Sequence, residues 1–149
     1  MERIDPNMEA EVWQRVMGQR EQPVREDIRP LLLSAMEAVS AYRHLSGMLT
    51  GKGKERMKGL HQGAMASVSC LKGIQAMSGG GSGKLTAMPI PKEPVRKTLE
   101  KSYHRTRHLM AEYTGRSLDP EFGVLYQRMA DREREHGVVL AEILGELGR

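Results

Sequence analysis

Aromatic side chains are scarce in this chain: one Trp, one Phe and four Tyr make up 4% of its 149 residues. A core has to be assembled instead from Leu, Val, Ile, Ala and 11 Met, and Leu, Ala and Met within that mix favour helix over strand. A single cysteine, Cys70, excludes an internal disulfide, and its neighbours Val68 and Leu71 point to a buried thiol. No apolar run approaches the roughly 18 residues of a membrane span. The opening MERIDPNMEAEVW is charged and shows no apolar signal stretch, so a reducing cytoplasm is the expected compartment. Period-two alternation and internal repeats are also missing, which leaves an all-α single domain over residues 1–149 as the expected architecture.

The formal charge is +4 and the pI about 9.4, yet acids and bases alternate through most of the chain. Such mixing describes solvated helix faces rather than a nucleic-acid stripe. Asp5-Pro6-Asn7 followed by MEAEVWQRVMG predicts a short capped helix over 7–17, ending at Gly18. Pro23 and Pro30 bracket the entry to a first long helix, 27–49, with Asp27 as a candidate cap. Gly51-Lys52-Gly53-Lys54 reads as a break, and a second helix follows over 54–77. SGGGSGKLTAMPIPKEP, residues 78–94, combines Gly and Ser breakers with three prolines and reads as a long flexible crossover. A third helix is predicted over 93–115, and Asp119-Pro120 opens a fourth over 119–147. Within the crossover, Gly81-Ser82-Gly83-Lys84 is not a phosphate-binding loop: Ser78 stands where the first Gly belongs, Leu85 follows the Lys, and a helix rather than a strand precedes it.

Inward positions in a bundle recur at alternating steps of three and four. On the fourth helix they are Leu125, Met129, Glu133, His136, Leu140, Ile143 and Leu147, so a Glu and a His three residues apart fall in the seam. The second helix gives Met57, Leu60, Ala64, Ser67, Leu71 and Ile74. The first gives Ile28, Leu32, Ala35, Val39, Tyr42, Ser46 and Leu49, and the third Val95, Leu99, Ser102, Thr106, Leu109 and Tyr113. The middle of every partner helix is small or hydroxylated.

The stretch SCLKGIQAMSGG around the end of the second helix, the DPEFG turn and EREHGVVLAEILG resemble the rubrerythrin-type branch of the ferritin-like superfamily over roughly residues 28–147. That resemblance implies an antiparallel four-helix bundle with one long crossover and a carboxylate-bridged diiron centre. In such bundles Glu-x-x-His on two helices and a Glu on each of the other two supply the ligands. The family places a Glu about seven residues before the tyrosine of the first helix, where this chain has Ala35. It places Glu-x-x-His ahead of the Leu-Lys-Gly turn, where this chain has Ala64 and Ser67. Counting back from Tyr113 reaches Thr106. Glu133 and His136 alone match, and the rubredoxin-like cysteine module is missing.

Glu133 and His136 are therefore the residual metal-ligand pair, with Ala35, Tyr42, Ala64, Ser67, Tyr103, Thr106 and Tyr113 as lining residues. A transition metal needs three or four protein ligands, so the expectation is a metal-free pair, hydrogen-bonded to each other and capped by Ser67, Thr106 or a tyrosine hydroxyl. His104, His108 and Glu112 sit four apart on the third helix but among Lys101, Arg105 and Arg107, which suits a solvated face better than a chelate. The methionines follow ordinary helical spacing and read as core filling rather than copper ligands.

The leading functional expectation is a degenerate ferritin-like bundle without the oxygen-activating site, serving as a structural or small-ligand-binding protein with no cofactor. The alternative is a rubrerythrin-type metal-binding oxidoreductase, with iron or manganese held by Glu133, His136 and off-register ligands among Glu37, His44 and Glu112. A weaker alternative is a nucleic-acid-associated basic bundle, resting on Lys52, Lys54, Arg56 and Lys58. These lack interleaved aromatics, so nucleic acid is not the expected partner. A homodimer stays open, and no membrane partner is expected.

Overall fold

The computed structural model describes residues 27–79 and 85–148; the helix expected over 7–17 and residues 80–84 of the crossover lie outside them. Among the described residues the chain forms four α-helices and no strand. They are α1 (Arg29–Met48), α2 (Gly51–Met77), α3 (Val95–Gly115) and α4 (Gly123–Leu147).

The helix ends follow local chemistry, and two differ from expectation. At the start of α1, Asp27 accepts the Arg29 backbone N–H at 3.0 Å, and Pro30 occupies the first turn, where its missing N–H costs nothing. The Gly51–Lys54 stretch does not break the chain: it is the first turn of α2, and only Leu49 and Thr50 separate α1 from α2. Gly51 takes φ of +57°, which lets the chain reverse within two residues. Two glycines are poor helix formers, but packing of the buried Met57 and Leu60 one turn later outweighs their propensity. The fourth helix begins at Gly123 rather than 119, because Asp119 Oδ1 accepts the N–H groups of both Glu121 and Phe122 at 2.8 Å and holds a turn there.

α1 packs on α2 and α3, and α4 packs on α3 and α2, leaving α1 diagonal to α4 and α2 diagonal to α3. Arg56 near the start of α2 pairs with Glu146 near the end of α4 at 3.1 Å, while Ser67 further along α2 meets Arg132. Residue numbers thus rise along α2 as they fall along α4.

The core divides into two apolar clusters. One joins Leu31, Leu32 and Ala35 to Leu71, Ile74, Leu109 and Tyr113, with Tyr126 and Met129. The other joins Ala38, Tyr42 and Leu45 to Met57, Leu60, Leu99, Leu140 and Ile143. Most of the buried polar side chains, Ser67, Ser102, Thr106, Glu133 and His136, come from the middles of their helices and form a waist between the clusters.

All six expected inward positions of α2 are buried, and on α3 only Val95 gives way, to Thr98. On α4 Leu147 is exposed, Leu125 is half-buried, and Tyr126 and Ala130 are buried beside the expected seam. The reading of α1 was the poorest. Val39, Ser46 and Leu49 are half-buried, and Leu31, Ala38, Ala41 and Leu45 fill the core instead. Leu31, Leu32, Ala35, Ala38, Ala41, Tyr42 and Leu45 together make a buried arc on α1 wider than a single seam of alternating threes and fours. Cys70 is also half-buried rather than enclosed.

At Gly123 a Cβ would run into the carbonyl oxygen of Ser117, a backbone atom with nowhere to move. Gly123→Ala is therefore expected to cost about 1–3 kcal/mol, read as a drop of several degrees in the midpoint of a thermal melt followed by circular dichroism.

Candidate functional site

α4 presents Glu133 and His136 on one face because they are three residues apart, and both are buried, with 3% and 6% of their surface exposed. Glu133 Oε2 lies 3.9 Å from His136 Nδ1. That separation is beyond hydrogen-bond reach. The direct Glu–His hydrogen bond expected from the sequence is thus not made, nor are the expected caps. The Ser67 hydroxyl accepts from Arg132 Nη1 at 2.7 Å, and the Thr106 hydroxyl donates to the Tyr103 carbonyl at 2.6 Å. Glu133 Oε1, His136 Nδ1, Ser102 Oγ and the hydroxyls of Tyr42 and Tyr113 are buried with no hydrogen-bond partner among the described residues.

Burial decides the protonation of this group. Desolvation pushes the Glu133 carboxyl up to about 7, against the opposing pull of the Arg132 and Arg105 guanidiniums. It pushes His136 down to about 4, and Arg132 disfavours the imidazolium further. The Tyr42 and Tyr113 phenols are driven well above their ordinary value, first by burial and then by the nearby Glu133 carboxylate.

His136 is fixed by packing. Its ring meets Tyr42 edge-to-face, with centroids 5.8 Å apart and planes at 89°. On its other side it lies against Gly63 of α2: a Cβ there would stand 2.6 Å from Nε2 and 2.9 Å from Cε1. Gly137 makes a similar approach to α3, where a Cβ would fall 3.3 Å from Thr106 Oγ1. The helices have closed on the waist where side chains are small.

Of the expected lining residues, Ala35, Tyr42, Ala64, Ser67, Thr106 and Tyr113 are all buried. The Tyr103 ring lies at the edge of the waist, beside Gly137 and next to Thr106 Oγ1. It is half-buried, and Arg107 stacks over its ring at 5.9 Å. No three His, Cys, Asp or Glu side chains come together as a metal-holding group among the described residues. Glu37, His44 and Glu112 accordingly do not complete a ligand set with Glu133 and His136. Glu112 pairs with Arg116 at 3.7 Å, beside a surface pocket lined by Asp27 and His108. A carboxylate-bridged metal pair asks for about six ligands, and the residues present do not fit one. In the basic cluster, Arg56 is engaged with Glu146 and Lys58 with Glu55. Sequence reasoning missed Gly63, Arg105 and Arg132; the only signal for Gly63 was its place one residue before Ala64, on the flank of the seam.

Two outcomes follow from this geometry. Gly63→Ala is expected to destabilise by about 1–3 kcal/mol, and His136→Ala to remove most of that penalty. A double-mutant cycle in urea measures the coupling. The pH response has two opposing parts. Glu133, raised from 4.5 to about 7, stabilises fully below pH 4.5, and that contribution is lost as pH rises to 7. His136, lowered from 6.5 to about 4, stabilises above pH 6.5, and that contribution is lost as pH falls to 4. Stability of the native chain is therefore expected to be nearly flat between about pH 4.5 and 6.5 as far as this pair is concerned. Glu133→Gln uncovers a rise with pH of up to about 1.4 kcal/mol per unit, and His136→Leu uncovers a fall over pH 4.5–7, both read from urea midpoints.

No family model, curated protein or solved structure matches this chain, and its chemistry has to be read from its own residues.

Proposed function

We propose that this chain is an antiparallel, ferritin-like four-helix bundle that has lost the two-metal oxygen-activating centre and serves as a structural or small-ligand-binding protein. The observation that carries this reading is the identity of the waist. Where the rubrerythrin-type pattern expects ligands, the chain has Ala35, Ala64, Ser67 and Thr106, all buried, as are the remaining Glu133 and His136. Two donors are too few for a transition-metal site. The close approach of Gly63 to His136 further supports a waist contracted around small residues. The crossover between α2 and α3, nominally 78–94, fits the single long connection of that bundle type.

Protein produced in medium supplemented with iron and manganese is expected to carry well under one equivalent of either metal by elemental analysis; two equivalents per chain would overturn the reading. Glu133→Leu provides an independent check. Replacing a buried, incompletely partnered acid by an apolar side chain of similar size is often neutral or stabilising. The expected thermal midpoint is therefore equal to or above that of the native chain, and collapse of the fold would show that the carboxylate has an obligatory partner.

A further inference from the structure

At the rim of the core, α1 and α2 continue their apolar surface outward through half-buried Met36, Val39 and Val68 to the exposed Met65. Met36 and Val39 on α1 and Met65 and Val68 on α2 repeat at a spacing of three. With Leu85 and Ala87 of the crossover as a third wall, they line an open surface groove of about 520 Å³. This is the size of a small-molecule site, and so is its character: apolar walls with few polar groups. Met65 is 47% exposed despite its chemistry. Unbranched Met side chains adapt to flexible apolar ligands.

The remaining lining is hydroxyls and one charge, Lys72. Lys72 stands one turn beyond Val68 on the same stripe, so its ammonium marks one end of the groove. It is exposed and has no ion pair with a described residue. From Met65 to Lys72 the stripe runs about 10 Å at 1.5 Å per residue. A groove with apolar walls and a cation that has no ion-pair partner among the described residues, with no anion in its lining, complements a chain-like apolar body ending in an anion.

We propose that this groove binds a fatty acid, its acyl chain lying along Met36, Val39, Met65 and Val68 and its carboxylate on the Lys72 ammonium. The neutral walls offer a cationic headgroup nothing, whereas the carboxylate gains a charge-assisted hydrogen bond. The site shares no residue with Glu133 or His136 and goes beyond the reading of the bundle centre.

The test is titration calorimetry of the full chain with dodecanoate below its micellar concentration, alongside dodecyltrimethylammonium of the same chain length. Saturable binding of dodecanoate is expected, at least about tenfold tighter than the cation, a difference of about 1.4 kcal/mol. Lys72→Glu should reverse that order, and Val68→Glu should abolish binding by placing a charge on the groove floor. Lys72 is exposed, so Lys72→Glu stays informative even where Val68→Glu disturbs folding. Absence of saturable binding to the native chain, equal binding of both headgroups, or indifference to Lys72→Glu each overturns the proposal. The metal content of the native chain is measured without the fatty acid and dodecanoate binding without added metal, so the groove and the metal-free centre stand or fall separately.

Discussion

The rest of the structure accommodates one constraint: a carboxyl and an imidazole taken out of water in the middle of an apolar bundle. Neither group can keep its charge cheaply there, and burial moves the two in opposite directions, toward the neutral acid and the neutral base. The surroundings fit that requirement. Arg132 and Arg105 reach the carboxyl from the edge of the core and moderate its shift. Tyr42 offers His136 a ring edge-on, and α2 presents a bare Cα at Gly63 so that the imidazole has somewhere to sit. Above and below, two apolar clusters of Leu, Met, Tyr and Ile keep bulk water out.

This explains why small side chains collect at the waist without leaving the helices far apart there. Ala35, Ala64, Ser67 and Thr106 are each nearly inaccessible, and glycine stands at the closest approaches on both α2 and α4. Interiors pack densely, and helices that lose bulk at one level move together when nothing larger holds them apart. The hydroxyls that remain are divided between two uses. Ser67 accepts from Arg132 across the α2–α4 contact and Thr106 donates to a carbonyl of its own helix, whereas Ser102 and the two tyrosines keep polar atoms aimed into the protein with no described partner.

Much of this was legible in the sequence wherever a helix has one dominant seam. The alternation of threes and fours found every buried residue of α2 and placed Glu133 and His136 together in the core, since spacing alone decides which side chains share a face. It failed on α1, whose buried arc is wider than one seam, and at Tyr126, which neighbours the expected Leu125 and takes the inward place. Gly51–Lys54 and Asp119-Pro120 were misjudged for the same reason. Local propensity names a breaker or a cap, but tertiary packing and a two-residue joint decide on which side of it the helix begins. Gly63 and Arg132 were invisible for a different reason. A glycine that receives a neighbour's ring, and an arginine that turns inward to a serine, have no periodic signature.

The two-residue joint between α1 and α2 bears on how the molecule forms. Closing so short a connection loses little chain entropy, and the seven-residue connection 116–122 between α3 and α4 costs only modestly more, so each hairpin is built from contacts close in sequence. Glu133 and His136 both belong to the second hairpin, while Gly63, Tyr42 and Ser67 belong to the first. Docking of the two hairpins brings Tyr42 and Gly63 against the imidazole and completes the burial of the acid and the imidazole. Docking is where a proton must be taken up or released, which makes the rate of assembly, and not only its equilibrium, sensitive to the acidity of the medium.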